Sequence, residues 1–213
     1  MEYLDLAPYE YSEFPIPMLS IGWLGREHGI QRLGSDPSTA TSLTRVKTSS
    51  RRLGSLTLGM HLCEFCPDGH EFTGNGEYRY YAQGGEVFAA PMMITHYIED
   101  HQYCPPAQFV NSLAGLDELE WDWRAEILSK ILRDPEQDLH FRCEAIVDLA
   151  NWVDVRAFNA LMGAARDEEL ADVTGLEIGI SFGSLMSRGF TAHGLDAIPS
   201  HIKYAIDHYE ELI

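Results

Sequence analysis

The sequence has no apolar run long enough to cross a bilayer: its longest candidate, Val87 to Ile98, is short and broken by Pro91 and His96. Basic residues are scarce. Fifteen Lys and Arg stand against 33 Asp and Glu, a net charge of −18. Phosphate backbones are bound chiefly through Lys and Arg, so this balance argues against a nucleic-acid partner and for a basic protein. The opening Met1-Glu2-Tyr3-Leu4-Asp5 lacks the basic and apolar regions of a secretory signal, which makes the cytoplasm the expected location, without membrane association. Cysteine is sparse as well. Only four are present, too few for the disulfide framework of a small secreted domain, and in a reducing compartment the pair Cys63-x-x-Cys66 points to metal binding.

Recognisable catalytic motifs are also missing. The chain contains no H-E-x-x-H, no H-x-E followed by P-C-x-x-C, no G-x-S-x-G elbow, no Walker loop and no G-x-G-x-x-G after a strand. Binding is therefore favoured over catalysis. The basic run Arg45 to Arg52 has no glycine-rich cradle beside it and reads as a solvated loop.

What is present divides the chain in two. Residues 1–115 mix prolines, glycines and aromatics, with a β-hairpin expected from Glu77 to Ala90 through Gln83-Gly84-Gly85 and short helices after Pro91 and from Ala107 to Ala114. Residues 116–213 change period. Apolar residues recur at helical spacing at Ile127, Leu128, Ile131 and Leu132, at Ala145, Ile146 and Leu149, and at Phe158, Leu161 and Met162. Gly175, Gly179 and Gly183 lie at four-residue intervals on one face of the next helix, a device for close packing. The expected class is α+β: a small Cys/His domain over 1–115 followed by an antiparallel helical-repeat domain over 116–213.

The order C-x2-C-x29-H-x4-H, from Cys63, Cys66, His96 and His101, is a complete Cys2His2 set, for which Zn2+ is the natural ion. His61, His70 and Cys104 are alternative ligands. A hydrolase would need an open metal position and a base, for which Glu64 or Glu77 could serve. In the second half, Asp134, Glu136 and Asp138, and Asp167, Glu168, Glu169 and Asp172, fall at expected helix starts, where carboxylates complement the helix dipole. The 20 acidic against 8 basic residues after Leu113, compared with 13 against 7 before it, make this half the candidate surface for a basic partner.

Asp5-Leu6-Ala7-Pro8-Tyr9-Glu10-Tyr11, Gly22-Trp23-Leu24, His61-Leu62-Cys63-Glu64-Phe65-Cys66, Gly74-Asn75-Gly76-Glu77, Ala89-Ala90-Pro91 and His96-Tyr97-Ile98 through Pro106 together resemble a family of uncharacterised bacterial proteins. The resemblance treats Cys63, Cys66, His96 and His101 as a unit and implies no reaction. Phe141 to Ala150 and Ala164 to Asp172 look like HEAT-type helical repeats, which occur in immunity proteins of bacterial toxin systems. That likeness implies an acidic inhibitor that occludes the positive surface of a cognate toxin, while the closed four-ligand shell gives zinc a structural role.

Overall fold

Alternating aromatic and small residues between Thr73 and Pro91 build the centre of a four-stranded sheet in this computed structural model, which describes residues 2–11, 13–30, 37–67 and 71–213. Strands β3 (Thr73–Tyr81) and β4 (Val87–Pro91) pair antiparallel, from Glu77 opposite Pro91 to Tyr81 opposite Val87. The turn closes as the Ala82 N–H donates to the Glu86 carbonyl at 2.9 Å, with Gly85 at φ +98°, a conformation that glycine adopts without steric cost. Every residue of β4 is buried, as expected of a strand covered on both faces.

Two further strands complete the order β1-β4-β3-β2. The short β1 (Leu19–Ser20) lies parallel to β4, and β2 (Ser55–Leu62) lies antiparallel to β3. The register of β2 slips between Leu56 and His61, where Gly59 sits at φ +92°. Helices α1 (Pro37–Ser49), α2 (Ile94–His101) and α3 (Ala107–Ser112) contribute Val46, Ile94 and Phe109 to the core that also holds Tyr80 and Phe88. The basic run is therefore partly helical: Lys47 pairs with Glu99, and Arg45 donates to the Val110 carbonyl at 3.3 Å.

The chain forms two compact units, Met1–Leu116 and Asp117–Ile213. In the second, four helices in succession begin at an aspartate whose carboxylate accepts a backbone N–H of the first turn. These are Asp122 before α4 (Trp123–Arg133), Asp138 before α5 (Leu139–Leu149), Asp154 before α6 (Val155–Ala164) and Asp167 before α7 (Glu168–Ser187). Helix α4 packs beside α6 and α5 beside α7. Near the start of α5, Arg142 donates to the Asp167 cap of α7 at 2.8 Å; further along, the Ser181 hydroxyl donates to the Ile146 carbonyl at 2.9 Å; past the ends, Arg188 donates to Asn151 O at 3.1 Å. Helices α5 and α7 thus run in the same direction, as the second members of two stacked hairpins.

The glycine face of α7 meets α8 (Ser200–Asp207) and the short α9 (Tyr209–Leu212). A Cβ on Gly175 would lie 2.4 Å from the His201 ring, one on Gly179 2.4 Å from Ala205 Cβ, and one on Gly183 2.6 Å from Tyr209 Cβ. The rising register on both sides means that α8 runs parallel to α7. Thr174, just before this face, leaves helical geometry at φ −124° and turns its hydroxyl back to the Leu170 carbonyl at 2.7 Å, which kinks α7. Among the described residues no helix is long and apolar enough to cross a membrane.

Candidate metal centre

Strand β2 delivers Cys63 to a tight turn that also carries Cys66. The Cys63 N–H donates to the Phe72 carbonyl at 2.8 Å, anchoring the turn to the strand opposite, and the backbone N–H groups of Phe65 and Cys66 point at the Cys63 sulfur. Burial pushes the Cys63 thiol up from its ordinary value, and those two N–H groups pull it back. Across from the turn, α2 presents His96 from its first turn and His101 from its last residue. The helix stops there because Gln102 takes the left-handed conformation at φ +59° and returns its N–H to Tyr97 O.

Four donor atoms converge. His96 Nε2 and His101 Nε2 are 3.1 Å apart; Cys66 Sγ lies 3.3 Å from His96 Nε2 and 3.5 Å from His101 Nε2; Cys63 Sγ lies 3.3 Å from His101 Nε2. All four atoms fall within 4.8 Å of one another, a group that could hold a metal ion. Cys63, His96 and His101 are at most 8% exposed, and Cys66 is half-buried. His96 Nδ1 meets Asp100 Oδ2 at 2.7 Å, the second contact that fixes the ring and leaves Nε2 as its ligating nitrogen. Phe72 lies flat on the His96 ring at 4.1 Å and Phe65 flanks His101 at 5.9 Å, so each histidine ring has an aromatic neighbour.

Residues 1–114 match the family model described as a domain of unknown function, DUF7919. The chain belongs to that family. No curated protein and no solved structure matches it. The DUF7919 stretch contains the whole Cys/His set.

The remaining candidates within the DUF7919 stretch lie apart from the four. His61 is half-buried on β2 opposite Gly74, and Cys104 contacts the Pro105 carbonyl at 3.8 Å. His70 is outside the described residues. Glu64 is exposed and accepts the Arg26 N–H at 2.9 Å. Glu77 is 1% exposed and committed: Arg79 donates to its Oε1 at 2.8 and 2.9 Å, and the Tyr9 hydroxyl donates to its Oε2. This buried triad carries no motif. Asp100 did have a signal, since His-x-x-x-Asp on a helix puts both side chains on one face.

Beyond the DUF7919 match, Arg142 brings the two acidic segments to one end of the helical unit. Its Nε donates to Leu132 O at the close of α4 and its second nitrogen to Asp167 at the start of α7. The Asp134–Asp138 turn and the first turn of α7 are therefore neighbours. Glu136, Glu168, Glu169 and Asp172 are exposed there. Asp134 accepts the Glu136 N–H at 3.0 Å, Asp138 caps α5, and Asp167 is half-buried between its cap and Arg142.

The caps make the unit acid-sensitive. Arg142 holds the Asp167 carboxyl below the usual carboxylate range, and Arg156 does the same for Asp154. A depressed folded pKa contributes stability above the unfolded value of about 4, lost as pH falls through the folded value. Helical denaturation midpoints are expected to be flat from pH 7 to about 5 and to drop below about 4, and Asp167→Asn is expected to flatten the drop. An unchanged acid profile in that variant would remove Asp167 from this account.

Proposed function

We propose that this chain is a binding protein of immunity type: a structural zinc holds the first unit, and the acidic end of the second engages a basic partner, such as a cognate toxin. The observation that carries the zinc assignment is the spacing of the four donors. Metal bonds of about 2.3 Å to sulfur and 2.0–2.1 Å to nitrogen give a tetrahedron with edges of about 3.3 to 3.8 Å, and three S···N edges and the N···N edge of the site run from 3.1 to 3.5 Å. Two thiolates and two imidazoles fill four positions, which leaves none for a substrate or water. Glu77, held inside by Arg79 and Tyr9, is in no position to act as a base, so the hydrolase reading loses one of its two candidates.

For the second unit, the stacked hairpins α4–α5 and α6–α7, with like helices side by side, support a HEAT-type arrangement. An acidic rim built from the α4–α5 and α6–α7 turns, one from each hairpin, is the kind of surface such arrays present. Its carboxylates would steer and orient a positively charged face. Co-expression with the product of the adjacent gene tests this. A complex should form and weaken at least about tenfold when Glu168, Glu169 and Asp172 are changed together to Lys, each opposed charge being worth on the order of 1 kcal/mol. Absence of a bound basic protein, with no relief of toxicity, would overturn the partner assignment while leaving the metal assignment standing.

A further inference from the structure

A cavity of about 80 Å3 opens in the first unit beside the Cys/His turn, and none of the four metal-site side chains lines it. It is lined by Tyr11, Trp23 and Tyr97, by Glu2 and Glu64 and by His61, with no Lys or Arg among the lining residues. We propose that this cavity binds an organic ammonium head group.

The physical case begins with charge and shape. Aromatic faces present negative electrostatic potential and attract a cation within about 6 Å of the ring centre, and Tyr11 and Trp23 stand 6.2 Å apart, tilted by 36°. Both carboxylates are fixed by the Gly25–Gly29 turn. Glu2 accepts the Glu27 and His28 N–H groups at 3.0 Å each and also meets the His28 ring at 3.0 Å, so the carboxylate left to a ligand is Glu64, whose Oε2 accepts the Arg26 N–H and whose Oε1 has no hydrogen-bond donor among the described residues. Gly25 makes room: a Cβ there would sit 1.9 Å from Glu2 Oε1. Gly74 and Gly76 also line the cavity, where side chains would collide with Met93 Cγ at 3.0 Å and Leu53 Cδ1 at 2.8 Å. At about half of the 150 Å3 that accommodates benzene, the space suits a head group of a few heavy atoms, with the rest of the molecule outside. An anion would meet two carboxylates and a neutral polar group would gain nothing from the rings.

An ammonium of this size comes from a small amine or from a lysine side chain, and calorimetric titration of the full zinc-loaded chain separates the two. Choline and a peptide containing trimethyllysine serve as the two cationic probes, and 3,3-dimethylbutanol, the uncharged isostere of choline, as the control. At least one cation should bind, with the isostere weaker by at least about tenfold, within the range for a desolvated cation on aromatic faces. The better probe names the source. Glu64→Gln and the half-exposed Tyr11→Leu should each weaken it by about three- to tenfold with the metal content unchanged. No heat from either cation, equal binding of the isostere, or full affinity in both variants would overturn the proposal. The measurement uses the chain alone, so it stands or falls apart from the basic-partner reading.

Discussion

Protein purified without chelator is expected to carry about one equivalent of zinc, and Cys63→Ser is expected to carry less than about a tenth of one. Removing one thiolate leaves three ligands around a space formed by buried groups, where serine oxygen is a poor substitute for a soft anionic sulfur. The loss should extend to the fold, because the four ligands tie the β2 turn to α2. Binding free energy at a structural zinc, on the order of 10 kcal/mol or more, is folding free energy. Chelation of the intact protein should therefore lower the unfolding midpoint of the first unit and expose the Phe65 and Phe72 region to proteolysis. Cys104→Ser is the matched control and should keep its zinc, since Cys104 lies outside the convergent set. Asp100→Asn should retain the metal with affinity reduced about ten- to a hundredfold, the usual effect of removing a carboxylate that orients a ligating histidine. Full zinc in Cys63→Ser, or none in the unaltered protein, would end the assignment.

Much of this centre was legible in the sequence, and the reason is chemical. Cysteines are few, and a C-x-x-C turn with two histidines on a later helix has few other uses. The α+β class was legible for a similar reason, since the aromatic hairpin around Gln83-Gly84-Gly85 and the 3.6-residue stripes of the second half have different periods. Strand β2 was not. Leu56, Met60 and Leu62 are all more than half exposed, so Ser55–Leu62 has no buried alternation to read, and Gly59 breaks its register. Strand β1 is only two residues long and owes its position to pairing with β4. The aspartate caps appeared as acidic clusters because a cap and a contact residue have the same composition. Only the backbone separates Asp138 and Asp167, engaged at helix starts, from exposed Glu168 and Glu169.

The largest effect that the sequence concealed belongs to Glu77. Its carboxylate ties β3 to the distant N-terminal segment: Arg79 lies on the same face of β3, Tyr9 comes from the N-terminal segment, and so does the Phe14 ring, which lies 4.2 Å under the Arg79 guanidinium. Burial and the adjacent Glu77 charge push the Tyr9 hydroxyl far above its ordinary pKa, so it remains a donor. Glu77→Ala leaves a buried guanidinium without this carboxylate and is expected to cost about 3–5 kcal/mol, enough to unfold a marginal domain. Tyr9→Phe removes a hydrogen bond to a charged acceptor and is expected to cost about 1.5–3 kcal/mol. The combination Glu77→Met with Arg79→Met removes both buried charges and should recover a substantial part of the Glu77→Ala loss, because the desolvation cost disappears with the pair. Urea denaturation of the three variants separates the contributions. Should Glu77→Ala lose less than about 1 kcal/mol, the triad would be incidental to the fold, and the carboxylate would again become available to a catalytic reading.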